Sequence, residues 1–141
     1  MDSSRLIFAV AYIVIDLIYV VSSNPVYDEV VKRIQGSSMR GLKGPMSYFA
    51  FVGAYTCMAL GWYFFAAGTA TLWAKTMHPL KAAFLSGLIF GLTVIGTFNF
   101  TVYLMFNEYS TSILMRDMLW GVGWATISTM AYIYLKDSIR F

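Results

Sequence analysis

Apolar residues run along this chain in four long blocks, separated by short polar breaks. The first block covers about 5–23, and its apolar stretch after Arg5 holds a single charge, Asp16. Asp2, Ser3 and Ser4 offer N-cap oxygens ahead of it. Its apolar heart, Leu6 to Val21, would span about 24 Å as helix, a little short of a roughly 30 Å hydrocarbon core. Extension through Ser22 and Ser23 closes much of that gap. A cleaved signal peptide is not expected, because Asp16 interrupts the apolar region. The second block, about 46–73, carries no formal charge and is longer than a crossing needs, so it should tilt or project. The third covers about 82–106 and the fourth about 113–135, with Arg116 and Asp117 near the start of the fourth.

Between the first two blocks the pattern changes. Asn24-Pro25 has the form of an N-cap followed by the first helical residue. Val26, Tyr27, Val30, Val31 and Ile34 then recur on one helical face. Asp28, Glu29, Lys32 and Arg33 occupy the other face, with Asp28–Lys32 and Glu29–Arg33 four apart. Gly36 can end this segment, and Ser37 to Gly44 has loop composition. The spacing predicts a short amphipathic helix over about 25–35, lying in the headgroup plane on residues such as Pro25, Val26, Val30, Lys32 and Arg33. The expected architecture is an all-α integral membrane four-helix bundle, with this interfacial helix between spans one and two, forming one transmembrane domain over 1–141.

Composition supports the membrane reading. Of 141 residues, 59% are hydrophobic and only 12% charged, about half the charged fraction of soluble domains. A soluble domain of this length could not hide so much apolar surface. The net charge of +3 suits anionic headgroups, and no basic stripe argues for nucleic acid. Both termini should share one side, called side A, with Arg5, Lys75, Lys81, Lys136 and Arg140. Side B carries Lys32, Arg33, Arg40 and Lys43, with Arg116 just beneath. This near-tie sets no orientation by the positive-inside rule.

Polar groups inside spans are costly and so form the candidate site. Asp16, Asn99 and Asp117 come from three different spans and should all lie roughly 6–10 Å below side B. Thr97, Thr101 and Arg116 share that layer. Arg116 and Asp117 are adjacent and should point about 100° apart, so pairs such as Asp16–Arg116 or Asp117–Asn99 are expected instead, with a Tyr hydroxyl as a further donor. Such a layer can be a proton- or solute-binding site, or an interhelical polar clamp. Asp117, Trp120, Trp124 and Ser128 form one stripe of span four. Gly87 with Gly91, and Gly121 with Ala125, are small-residue pairs that permit close helix approach. Cys57, the lone cysteine, is expected as small packing filler. His78 lies before a proline with no second ligand nearby, so no metal is expected and no cofactor is implied. No nucleophile elbow, zinc-protease motif, phosphate loop or dinucleotide fingerprint is present, so no enzyme is expected.

The motifs resemble a small four-span membrane family, domain of unknown function 2177. That family shows Asp-Leu late in span one, as Asp16-Leu17 here. It shows aromatic-Asp-Leu-Thr-Asn in span three, where this chain has Phe98-Asn99-Phe100-Thr101-Val102. It shows Asp-Met-x-Trp-Gly in span four, matched by Asp117-Met118-Leu119-Trp120-Gly121. Asn99 and Val102 depart from the family's Asp and Asn. The resemblance implies the fold and no activity, with relatives in bacteria, algae and large DNA viruses. The leading expectation is a non-enzymatic structural subunit of a larger membrane assembly, in an organellar complex or a virion's internal membrane. Its partners would be the bilayer and other membrane or capsid subunits. A small proton- or solute-transporting protein is the alternative.

Overall fold

The computed structural model describes residues 2–138, and Arg140 of the expected side A charges lies outside them. The described chain is four helical rods: α1 (Ser3–Gln35), α2 (Pro45–Trp73), α3 (Pro79–Met105) and α4 (Thr111–Leu135). The first three are long and apolar enough to cross a membrane. α4 has 25 residues, about 37 Å of helix. It runs antiparallel to both α1 and α3, so it crosses the same slab although it carries Arg116 and Asp117 in its first two turns.

Local chemistry sets the ends. Asp2 caps α1 by accepting from the Arg5 N–H at 3.3 Å, and Ser110 caps α4 by accepting from the Ile113 N–H at 3.4 Å. Pro45 and Pro79 stand in the first turns of α2 and α3, where the missing N–H is harmless. Gly36 closes α1 with φ of 73°, a left-handed cap that its lack of a Cβ makes cheap.

The largest departure from the sequence reading lies in α1. Residues 25–35 are helical, but they are the last three turns of α1 and not a separate helix; Asn24-Pro25 breaks nothing. A proline inside a helix costs about 3 kcal/mol, so tertiary contacts must offset it. They do: Val30 is buried against Tyr109 and Leu114, and the Tyr27 hydroxyl donates to Asp117. The amphipathic face therefore covers the bundle instead of lying flat on headgroups. At 33 residues α1 is about 50 Å long, so its final turns project beyond the hydrocarbon on side B. Of the two expected ion pairs there, Asp28–Lys32 forms at 2.7 Å.

α3 and α4 pack backbone to backbone. A Cβ on Gly87 would sit 2.7 Å from the Thr126 Cα, one on Gly91 2.8 Å from the Val122 Cα, and one on Gly121 2.6 Å from the Ile95 side chain; Ala125 is fully buried beside them. These are the small-residue pairs of the sequence, meeting as the membrane packing rule requires. Each of α2 and α3 also contains one π-helical stretch, Trp62–Ala66 and Leu92–Gly96. A residue every four positions drifts about 40° around a regular helix. The wider π turn offsets that drift, and keeps Gly87, Gly91, Ile95 and Asn99 all facing α4. Carbonyls loosened by the π turns find side-chain donors: the Ser86 hydroxyl donates to the Ala66 carbonyl at 2.7 Å, and Asn99 Nδ2 to the Ile95 carbonyl at 3.0 Å.

The side A half is the dense part. Trp62, Ala66, Ala67, Ala70, Ala83 and Tyr132 have no exposed surface. Trp62 donates its Nε1 proton to the Ser128 hydroxyl at 2.9 Å. At the rim, the Tyr132 hydroxyl donates to Asp2 at 3.0 Å, and the Arg5 guanidinium lies 5.1 Å over the Tyr63 ring. The Ser4 hydroxyl, ahead of the other partners, holds the Asp2 carboxyl below the usual carboxylate range. By contrast, the first half of α2, Pro45–Gly61, buries no residue. Cys57 stands exposed on it, so it fills no core gap.

Candidate functional site

The polar layer converges on Asp117, which α4 carries into the bundle on its α1-facing side. The Tyr19 and Tyr27 hydroxyls of α1 both donate to its Oδ1, Tyr19 at 2.7 Å. The Tyr109 hydroxyl, from the turn between α3 and α4, reaches Oδ2 at 2.8 Å and also Asn99 Oδ1. Tyr109 has one hydroxyl hydrogen and two acceptors, so it serves one at a time. Asn99 is oriented by its amide bond to the Ile95 carbonyl. Arg116 Nε lies 3.6 Å from Asp117 Oδ1. The two residues do pair, against the expectation from their 100° separation. The reason is that the guanidinium folds back over the Tyr27 ring, 5.3 Å from its centroid, and is carried round to the carboxylate. Arg116 Nε and Nη2 are buried without a hydrogen bond, held by charge and ring faces alone.

Asp16 stands one turn deeper. It does not meet Arg116. Its Oδ1 accepts the Trp120 Nε1 proton at 3.1 Å, and Trp120 in turn stacks on Tyr19 with centroids 4.5 Å apart. The stripe foreseen on α4 is thus a row of contacts to α1 and α2: Asp117 to the tyrosines, Trp120 to Asp16, Trp124 Nε1 to the Tyr12 carbonyl at 3.0 Å, and Ser128 to Trp62.

Both carboxylates border one cavity of about 590 Å³. Its polar lining includes Asp16, Asn99, Asp117, Tyr19, Tyr27 and Tyr109, and the rest is largely aliphatic and aromatic wall from all four helices. The wall includes Ala54 and Tyr55 of the poorly packed half of α2 and Phe98 and Val102 of α3. A volume of this size with few convergent polar groups has the character of a small-molecule site.

The structure therefore joins Asp16, Asn99, Arg116 and Asp117 into one region. Thr97 and Thr101 are exposed on α3 and stand outside it. Lys32 and Arg33 are exposed on the outer face of α1, as are Pro25 and Val26, while Val30 lines the cavity. Sequence reasoning invoked a tyrosine hydroxyl without saying which. A signal existed: Tyr12, Asp16, Tyr19, Ser23 and Tyr27 recur at three- and four-residue steps, a polar face running straight through Pro25.

Two kinds of chemistry coexist here. Asp117 is saturated with donors and balanced by Arg116, so it holds α1, α3 and α4 together. Asp16 accepts a single N–H and has open acceptor capacity toward the cavity. The fold and site define a helical membrane-protein bundle with a polar-floored cavity near one bilayer face. The chain belongs to a family of predicted membrane proteins, domain of unknown function 2177, whose model matches residues 3–134. Neither a comparison with curated proteins nor one with solved structures finds a match.

Proposed function

We propose that this chain is a non-enzymatic membrane protein that holds a small amphipathic solute inside its bundle, as a solute carrier must. The observation that carries this is the shared cavity: three helices and the α3–α4 turn direct polar side chains into a space of about 590 Å³ whose remaining wall is mainly apolar. A pure clamp would spend its acceptors on its own hydrogen bonds, as Asp117 does on three tyrosine hydroxyls. Asp16 has no such closure. The loose first half of α2 supplies a lateral way in from the bilayer, because it buries none of its residues against the bundle.

The test is comparative extraction. Wild type and Ala54→Trp, which puts an indole into the cavity, are purified from the same membranes in nanodiscs, and their bound small molecules are compared by mass spectrometry. A species enriched with wild type and depleted with Ala54→Trp is the expected result. Identical extracts from equally folded proteins count against the reading.

A second reading, a structural subunit of a larger membrane assembly, draws on the same half of α2. Gly53 and Cys57 stand four residues apart there; a Cβ on Gly53 would meet nothing within 4 Å and Cys57 is exposed, whereas Gly61 already faces Phe90. Small residues at such spacing suit a partner helix. Native mass spectrometry from gently solubilised membranes distinguishes the two, because a subunit travels at fixed stoichiometry with its partners.

A further inference from the structure

The charges around the cavity do not balance. Asp117 and Arg116 form one ion pair, 3.6 Å apart. Asp16 is the remaining charged side chain of the cavity wall, it is 8% exposed, and no basic side chain among the described residues bonds to it. Only Oδ1 is engaged, by Trp120. A buried carboxylate in this setting needs a counter-charge or a proton. Its surroundings are aromatic: Trp120 lies stacked between Tyr19 and Trp124, with centroid separations of 4.5 and 6.3 Å. Tyr55 of α2 closes the opposite wall of the same cavity. The Trp120 stacks, with the Arg116 guanidinium 6.0 Å over Tyr19, cover the Trp120 and Tyr19 faces, so Asp16 meets only the N–H edge of Trp120. A carboxylate without a basic partner that shares its cavity with the Tyr55 ring is the chemistry that recognises ammonium groups. Beyond it, Val30, Val31, Ile34, Ile95 and Val102 offer an aliphatic lining suited to a hydrocarbon tail.

We propose that the cavity takes an amphiphilic cation, with its ammonium group against Asp16 and the Tyr55 ring and its tail along the aliphatic wall toward side B. The proposal rests on the solute-binding reading above and adds the charge class of the ligand. A protonated Asp16 is the competing arrangement; it would favour a neutral hydroxyl compound equally.

Octyltrimethylammonium and 1-octanol share a tail and differ in the headgroup. Each is titrated into the protein in zwitterionic nanodiscs, with empty nanodiscs as the blank, and tryptophan fluorescence is read. The expected result is saturable binding with a preference for octyltrimethylammonium of about tenfold or more, lost in Asp16→Asn while octanol binding persists. Persistence of the octanol response shows that the variant is folded. Equal affinity for the two probes, or an unchanged preference in Asp16→Asn, overturns the cation assignment and leaves the binding cavity standing. No saturable response to either probe in wild type removes the binding reading itself, and the cation assignment with it. Should Asp16→Asn lose both probes, Asp16→Glu decides: a retained preference supports the assignment, and a lost preference overturns it.

Discussion

The two halves of α2 follow one another in a single uncharged helix, yet they live in different surroundings. From Pro45 to Gly61 no residue is buried. From Trp62 to Trp73 the inward face disappears into the bundle, with Trp62, Ala66, Ala67 and Ala70 fully covered. The change falls at the π turn, Trp62–Ala66. Charge does not explain it, since neither half carries any, and about half of each is small residues. Neighbours do. On side A, α2 meets Ala83 and Ser86 of α3 and Ser128 of α4, small residues that let the backbones approach. On side B it faces Asn99, Val102 and the Tyr19 and Tyr27 rings across the cavity. Close packing and binding space are thus divided along the bundle axis, with the polar clamp on Asp117 bracing the hollow end.

The dense half is most vulnerable at Gly87. Gly87→Leu places a Cβ 2.7 Å from the Thr126 Cα and 2.8 Å from the Ala125 carbonyl oxygen. Backbone atoms have no rotamer with which to yield, so α3 must leave α4. The expected outcome is loss of the folded fraction, measured by denaturant titration in micelles. A folded Gly87→Leu variant would mean that the dense half is not dense.

Trp62→Ala comes next. It empties a fully buried indole site and removes the N–H donor to the Ser128 hydroxyl, which keeps its own bond to the Ala125 carbonyl at 3.1 Å. In lipid the loss is mainly of dispersion contacts and one hydrogen bond, and a destabilisation of about 3 kcal/mol is expected in the same titration. Tyr109→Phe probes the brace on the other side. It removes the hydroxyl donor that Asn99 and Asp117 share. Asp117 keeps Tyr19, Tyr27 and Arg116, so a loss of about 1–2 kcal/mol is expected, short of the Trp62 effect. A larger loss would show that the hollow half depends on the brace more than the dense half depends on its core.

Much of this division was legible in the chain. Four apolar blocks, the caps at Asp2 and Gly36, and the Gly87, Gly91, Gly121 and Ala125 contacts all follow from spacing and residue size. So does the choice of Asp16, Asn99 and Asp117 as the polar groups to watch, because they are expensive in lipid wherever they occur. Asp16 nevertheless stands one turn deeper than Asp117, and Thr97 and Thr101 lie outside the site. What spacing did not disclose depends on three-dimensional closure. The π turns have no local signature; they are set by the need to keep Ile95 and Asn99 facing α4. Asn24-Pro25 read as a helix start because local rules know nothing of Tyr109 and Leu114 waiting to cover Val30. Tyr109 itself lies in a turn of polar composition, where a buried hydroxyl donor is not anticipated. The pairing of Arg116 with Asp117 depended on a long side chain folding over Tyr27, which backbone angles alone do not encode.

The smallest effect is expected at Ala54, and it is the one that sharpens the comparison most. Ala54 borders the cavity and sits in the stretch of α2 that buries nothing. In a closely packed core, inserting the extra methylenes of leucine costs about 1–3 kcal/mol, because neighbours are forced off their rotamers. Ala54→Leu adds the same volume where space already exists. A change within about 0.5 kcal/mol is therefore expected, with helix content unaltered. A cost above about 1 kcal/mol would mean that the side B half closes in the membrane, so that α2 packs alike along its whole length and no vacant volume remains for a solute. A neutral result, set beside an unfolded Gly87→Leu, locates the free volume in the half where Asp16 accepts only one N–H.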